Sequence, residues 1–286
     1  MKKLIRTLAR PPALALRAIG VTPPEAVFKH LHKRGIFDVA LPESKGKLRL
    51  MSWGNRVENE LFWRGWTGHE PDIMRWWARI ALDAQIVLDV GANTGTFAFI
   101  AKALNPTATV HAFEPLARIA LKIRENSNVS GLDVSVIEAA VADVTGELPI
   151  YDPGGANAYS ASLDENFLSS STEAKIVPVT TIDDHCSANG LVPDLIKIDV
   201  EGVEGRVLLG ARDTLTKVKP LIVCEWTRHS DAHEAARELL RDANYSVIDP
   251  ETVQEIELTS ARGHDDRNVI LCPTDRVSAL RSTGPL

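Results

Sequence analysis

The sequence predicts an α/β protein: a doubly wound, mostly parallel seven-stranded sheet with an antiparallel C-terminal hairpin, preceded by a helical and stranded extension. Three observations carry this. From residue 86 onward, short β-rich runs alternate with stretches of helical periodicity, as crossover connections between parallel strands require. The first such strand enters its helix through a turn marked by Gly91 and Gly95. The last two strand-like runs have only polar, turn-rich residues between them, which pairs them antiparallel.

Taken in order, the first eighty residues offer a helical stretch at "PEAVFKHLHKRG", a strand at "KLRLMSW" and a helix after Pro71. The alternating part then runs "IVLDV" and a helix from about Thr96; "TVHAFEP" and "LARIALKIRENSNVSG"; "VSVIEAAVA"; "DLIKIDVEG" and "EGRVLLGARDTL"; "LIVCEW" and "DAHEAARELLRDA". "YSVIDP" and "NVILCP" form the hairpin. The stretch 151–172, rich in Gly, Ser and Asn, reads as a long surface loop able to act as a lid. These divisions suggest an accessory extension over 1–80, a ligand-binding domain over 81–274 and a tail over 275–286.

Composition narrows the function. The 286 residues carry a net charge of -6, which argues against a general nucleic-acid partner, since phosphate neutralisation needs a basic stripe. Three well-separated cysteines make neither a disulfide framework nor a zinc motif, and favour a reducing, cytoplasmic setting. No apolar run is long enough to span a bilayer. The first twenty residues hold five basic residues and no acid, so contact with an anionic membrane surface is the minor expectation and a loosely docked terminal helix the major one.

In an open parallel sheet, ligands bind at the carboxyl ends of the strands where strand order reverses, the place of residues 86–95. The pattern there is D-x-G-x-N-x-G: Asn93 stands where a dinucleotide fingerprint has its second glycine, and Asp89 puts a carboxylate where a pyrophosphate would lie. Glu114 ends the second strand, where an acid accepts ribose hydroxyls. A ligand with a ribose, no phosphate and an ammonium group fits all three positions, as S-adenosylmethionine does. The plain alternative is that Asp89 caps the turn and Glu114 is an exposed strand-end acid.

The segments "LDVGANTGTF", "HAFEP", "VTTIDDH" and "PDLIKIDVEGVEGRVLLGA" resemble the FkbM family of S-adenosylmethionine-dependent methyltransferases, over roughly Trp66 to Pro273. The resemblance implies the Rossmann-like class I methyltransferase fold and methyl transfer to a hydroxyl oxygen of a sugar, glycoside or polyketide-like small molecule. Carried onto this chain, it implies cofactor contacts from Asp89, Gly91, Ala92, Asn93 and Gly95 in the turn, from Glu114 with Pro115 at the ribose, and from Glu70 near the methionine end. Many class I enzymes have an aspartate at the adenine; Ala140 stands there instead, so backbone groups of Ala140 and Val141 are expected, with Asp143 as a side-chain partner.

Methyl transfer from a sulfonium is an in-line displacement, so the protein must align the acceptor and manage its proton. Asp199 is the first candidate for orienting the acceptor or taking its proton, and Glu201 the second; Glu225 and His229 follow at the end of the neighbouring strand. His229 also reads as a solvated loop histidine, and Lys197 as a strand residue paired with an acid. These three acids and the histidine offer no compact ligand loop, so a divalent metal is the minor expectation and none the major one. The Asp183–Asp184–His185 cluster suggests helix capping. Five of the six tryptophans precede residue 86 and suggest core packing ahead of sugar stacking. Two rival readings stay open: an NAD-dependent oxidoreductase, and a catalytically silent binding protein on the same fold.

Overall fold

A computed structural model of the chain describes residues 14–17, 20–43, 45–154, 161–164, 173–226, 232–258 and 267–286. The extension contains a short helix α1 (Glu25–Phe28), an antiparallel hairpin of β1 (Gly35–Ala40) and β2 (Lys47–Ser52), and helices α2 (Arg56–Arg64) and α3 (Pro71–Ala81). The "PEAVFKHLHKRG" stretch is helical for one turn only, and the partner of the expected strand is β1, whose pattern the sequence reading passed over. Pro71 at the first position of α3 begins that helix without losing an internal hydrogen bond.

The main sheet has seven strands: β3 (Ile86–Val90), β4 (Thr109–Phe113), β5 (Ser135–Ile137), β9 (Leu195–Ile198), β10 (Leu221–Trp226), β11 (Tyr245–Ile248) and β12 (Arg267–Pro273). Their spatial order is β11-β12-β10-β9-β3-β4-β5. Six run in one direction, five of them paired in parallel, and β12 lies antiparallel between β10 and β11, as the missing crossover helix predicts. The chain winds outward from β3 to β4 and β5, then returns through β9 and β10 on the other side, so order reverses at β3.

Helices cover both faces. α3 and α4 (Thr96–Leu104) pack on one with Val87 and Val223; α6 (Ile182–Asn189), α7 (Glu204–Leu209) and α8 (His233–Asp242) pack on the other with Leu88 and Ile222. This is strand alternation read out as two apolar layers. Two expectations change. "VSVIEAAVA" is not one strand: the chain leaves the main sheet after Ile137, and Ala140–Val141 form β6 of a separate three-stranded sheet with β7 (Gly146–Asp152) and β8 (Glu173–Thr180). The segment from 151 is also partly ordered, since Tyr151 and Asp152 finish β7 and Tyr151 pairs with Ser162; residues 155–160 and 165–172 of the expected lid lie outside the described residues. α5 (Ala117–Ser130) packs Leu116 and Ile119 on this small sheet.

The extension and the main domain share one core. Phe28, Leu50, Trp63, Trp76 and Trp77 are buried in the same apolar cluster as Phe97, Phe99 and Val110, and the indole N–H groups of Trp76 and Trp77 donate to the carbonyls of Pro250 and Phe97, both at 2.9 Å. The tail also packs, as α9 (Val277–Thr283), with Val277 and Leu280 buried. The three cysteines are buried and unbridged. Among the described residues, no helix is long and apolar enough to cross a membrane.

Candidate functional site

The turn after β3 is built by close backbone approach. Gly91 has φ +80°, and a Cβ placed on it would lie 1.8 Å from the carbonyl oxygen of Asp199, so only glycine lets the ends of β3 and β9 meet here. The amides of Gly91 and Ala92 donate to the Phe113 carbonyl at 3.1 and 2.9 Å, which joins the turn to β4. Gly95 (φ +84°) sits against the Phe99 ring as it caps α4. Asn93 adopts φ +53°, and its Oδ1 is buried without a hydrogen-bond partner.

Two buried carboxyl groups flank the turn. The Ala98 amide donates to Asp89 Oδ2, and the Leu116 amide to Glu114 Oε1, each at 2.9 Å. Burial pushes both groups up to about 7, with the Lys197 ammonium drawing Asp89 partly back. Asp89, Gly91, Ala92, Asn93, Glu114, Pro115, Ala140 and Val141 all line one cleft enclosing about 950 Å³ of empty space open to solvent. Asp143 does not line it, and its Oδ1 accepts from Arg206 at 2.8 Å. Gly95 shapes the turn from beneath and is not in the wall.

A second, open recess adjoins the cleft, and the two share Val57, His69, Asn93, Asp199 and Glu201. Asn55, Arg56, Glu60 and Arg64 of the extension form its outer wall, with Glu70 and Glu225 completing it. Glu70 thus faces the second recess and not the cleft, held in left-handed backbone (φ +44°) as the cap of α3, with Oε2 buried and partnerless. No tryptophan lines either recess: Trp63, Trp76 and Trp77 are core.

Asp199 and Glu201 lie just past β9 in the turn that follows, Glu201 with φ +57°. Lys197, 1% exposed, donates from Nζ to Asp199 Oδ2 at 2.9 Å, and Asp199 is also hydrogen-bonded to Glu225. Burial alone would raise Asp199, but the ammonium and the Glu225 bond hold it below the ordinary carboxylate range. The Asp199 charge, then burial, push Glu225 up, so the pair shares a proton and Glu225 is the partner that favours holding it. Burial would lower Lys197, yet the Asp199 charge raises it. The cluster reads Lys197 cation, Asp199 anion and Glu225 acid. Asp199 is thus held by two donors, which suits a fixed orienting group and weakens it as a base.

The sequence reading passed over one pair. His69 Nδ1 lies 2.8 Å from Glu60 Oε2, and Arg56 Nε donates to Glu60 Oε1 at 2.8 Å. The signal was present in "GHEPD", where His69 directly precedes Glu70 and the Pro71 helix start, but its partner is nine residues back on α2. His229 lies outside the described residues. Asp183 does cap, accepting the amides of Asp213 and Thr214 at 2.8 Å. Among the described residues, no group of three or more His, Cys, Asp or Glu side chains is placed to hold a metal.

The cleft's chemistry fits S-adenosylmethionine. The orphaned Asn93 oxygen calls for a donor, and the buried Glu114 carboxyl can accept from vicinal hydroxyls. A model of the methyltransferase FkbM domain matches residues 89–247. The "2-O-methyltransferase NoeI" of Sinorhizobium fredii is 33% identical over 160 residues, covering 51% of this chain and 63% of the relative. The "Hexuronic acid methyltransferase AglP" of Haloferax volcanii is 30% identical over 156 residues, 54% of this chain and 61% of the relative. The chain thus spans just under two thirds of the length of these two relatives. The crystal structure of methyltransferase FkbM from Methylobacillus flagellatus superposes with a TM-score of 0.42 at 17% identity, over 66% of this chain and 44% of that one.

Proposed function

Because the chain belongs to the FkbM methyltransferase family, we propose that it transfers the methyl group of S-adenosylmethionine to a hydroxyl of a sugar or glycoside. The observation that carries this reading is the pair of joined recesses, one suited to the cofactor and the other lined by charged side chains. Of the residues around the second recess, few are apolar, and the carboxyl groups of Glu60, Glu70 and Glu201 with the guanidinium groups of Arg56 and Arg64 suit a polyhydroxylated acceptor better than an apolar polyketide. The two relatives named for 2-O- and hexuronic acid methylation support the same choice.

When bound, S-adenosylmethionine supplies an electrophilic methyl on sulfur. Asp89, Asn93 and Glu114 hold the polar parts of the cofactor, and Gly91 lets the backbone come close. Ala140 and Val141 offer an apolar shelf and backbone groups at the adenine end. Glu70 and Glu201 receive hydroxyl groups of the acceptor, and Asp199, fixed by Lys197 and Glu225, orients the hydroxyl that reacts.

Calorimetric titration with S-adenosylhomocysteine tests the cofactor. Micromolar binding is expected, weakened in Glu114→Ala by about 1–3 kcal/mol, the cost of unpaired ribose hydroxyls. Labelled S-adenosylmethionine, offered with a panel of aldohexoses, uronic acids and methyl glycosides, then tests the acceptor; a preference for NAD over S-adenosylhomocysteine would overturn the reading.

A further inference from the structure

We propose that His69, held in one tautomer by Glu60, accepts the proton of the acceptor hydroxyl; this rests on the methyltransferase reading above. His69 lines both recesses, so it stands at the junction where acceptor and cofactor would meet. Its Nδ1 is committed to Glu60 at 2.8 Å, which leaves Nε2 as the nitrogen for the acceptor.

Three features make this a built arrangement. Glu60 is itself pinned by Arg56, and its carboxylate, which burial alone would raise, is held below its usual range by bonds to His69 and Arg56. Gly68 packs so closely on α2 that a Cβ there would lie 2.3 Å from the Glu60 carbonyl oxygen and 2.9 Å from Arg64 Cβ, which seats the 65–70 loop against the helix and delivers His69 to Glu60. Glu70, next in sequence, holds the left-handed conformation that turns the chain into α3. Asp199 does not compete for the role, being occupied by Lys197 and Glu225.

In the step, the acceptor oxygen bonds to the methyl carbon as the carbon–sulfur bond breaks, the electron pair staying on sulfur. The hydroxyl proton passes to Nε2, and His69 returns it to solvent, so no further reactant is needed. The charged groups around His69 are Glu60 and Arg56 on α2, Glu70 at the start of α3, and Asp199 beyond β9.

The test is nuclear magnetic resonance of the full chain, labelled with 15N-histidine and saturated with S-adenosylhomocysteine, His69 being assigned through His69→Asn. The expected neutral ring carries its proton on Nδ1, and Glu60→Gln shifts the ring toward the Nε2-protonated tautomer. A proton on Nε2 in the unaltered chain, or a tautomer unchanged in Glu60→Gln, overturns the proposal. Calorimetry on His69→Asn should leave S-adenosylhomocysteine affinity within about twofold; selective loss there would place His69 in the cofactor site and also overturn it. Absence of binding by the unaltered chain would instead sink the methyltransferase reading. With an acceptor from the glycoside panel, His69→Asn should lower kcat at least about 100-fold with KM within about threefold, and unchanged kcat would refute the role.

Discussion

Asp89 and Glu114 link the cleft to pH. Each is raised by burial to about 7 in the folded chain from ordinary values of 3.8 and 4.5. Between those values and 7 the folded chain holds protons that the unfolded chain has lost. Their contribution to stability is therefore full below about pH 4 and declines as pH rises to 7. A ligand that donates to these carboxylates favours their charged form, so binding should expel protons. Titration with S-adenosylhomocysteine in two buffers of different ionisation enthalpy should show net proton release at pH 6 and almost none at pH 8, and Glu114→Gln should remove part of it. No release at pH 6 would mean that both groups are already ionised in the free chain. These two acids were readable in the sequence because each is fixed by its offset from a strand end. The Glu60–His69 pair was not, because it depends on a glycine packed against a helix carbonyl, which no periodicity encodes.

At the scale of elements, α2 is the piece of the extension that makes the second recess, presenting Arg56, Glu60 and Arg64 to it. Its phase is set at its start, where Asn55 Oδ1 accepts the Glu58 amide at 3.0 Å. Asn55→Ala should cost about 1 kcal/mol in urea unfolding, with Asn55→Asp retaining most of the stability. Equal loss in both would show that the cap is not what holds the helix. The parallel strands and their helices were legible because each buries one register or one stripe. The β6–β8–β7 sheet was not: Val177 and Val179 face the core while exposed Ile176 and the Pro178 between them break the apolar alternation, and "VSVIEAAVA" gives no sign at Glu138 that the chain changes sheets.

For the molecule as a whole, the residues on either side of the boundary near residue 80 read from the sequence share one core. Trp76 and Trp77 are fully buried in the cluster that also holds Phe99 and Val110. A chain lacking residues 1–84 should lose its cooperative thermal transition and bind an apolar dye; a sharp calorimetric transition in that chain would show the 85–286 part to fold alone. The order of the last three strands carries another consequence. β12, later in the chain than β11, lies between β11 and β10. During synthesis the hydrogen-bonding edge of β10 must wait, open, until residues 267–273 have emerged, and β11 has no place in the sheet before then. The nascent chain therefore exposes a strand edge until β12 has been made, the interval in which a chaperone has most to shield.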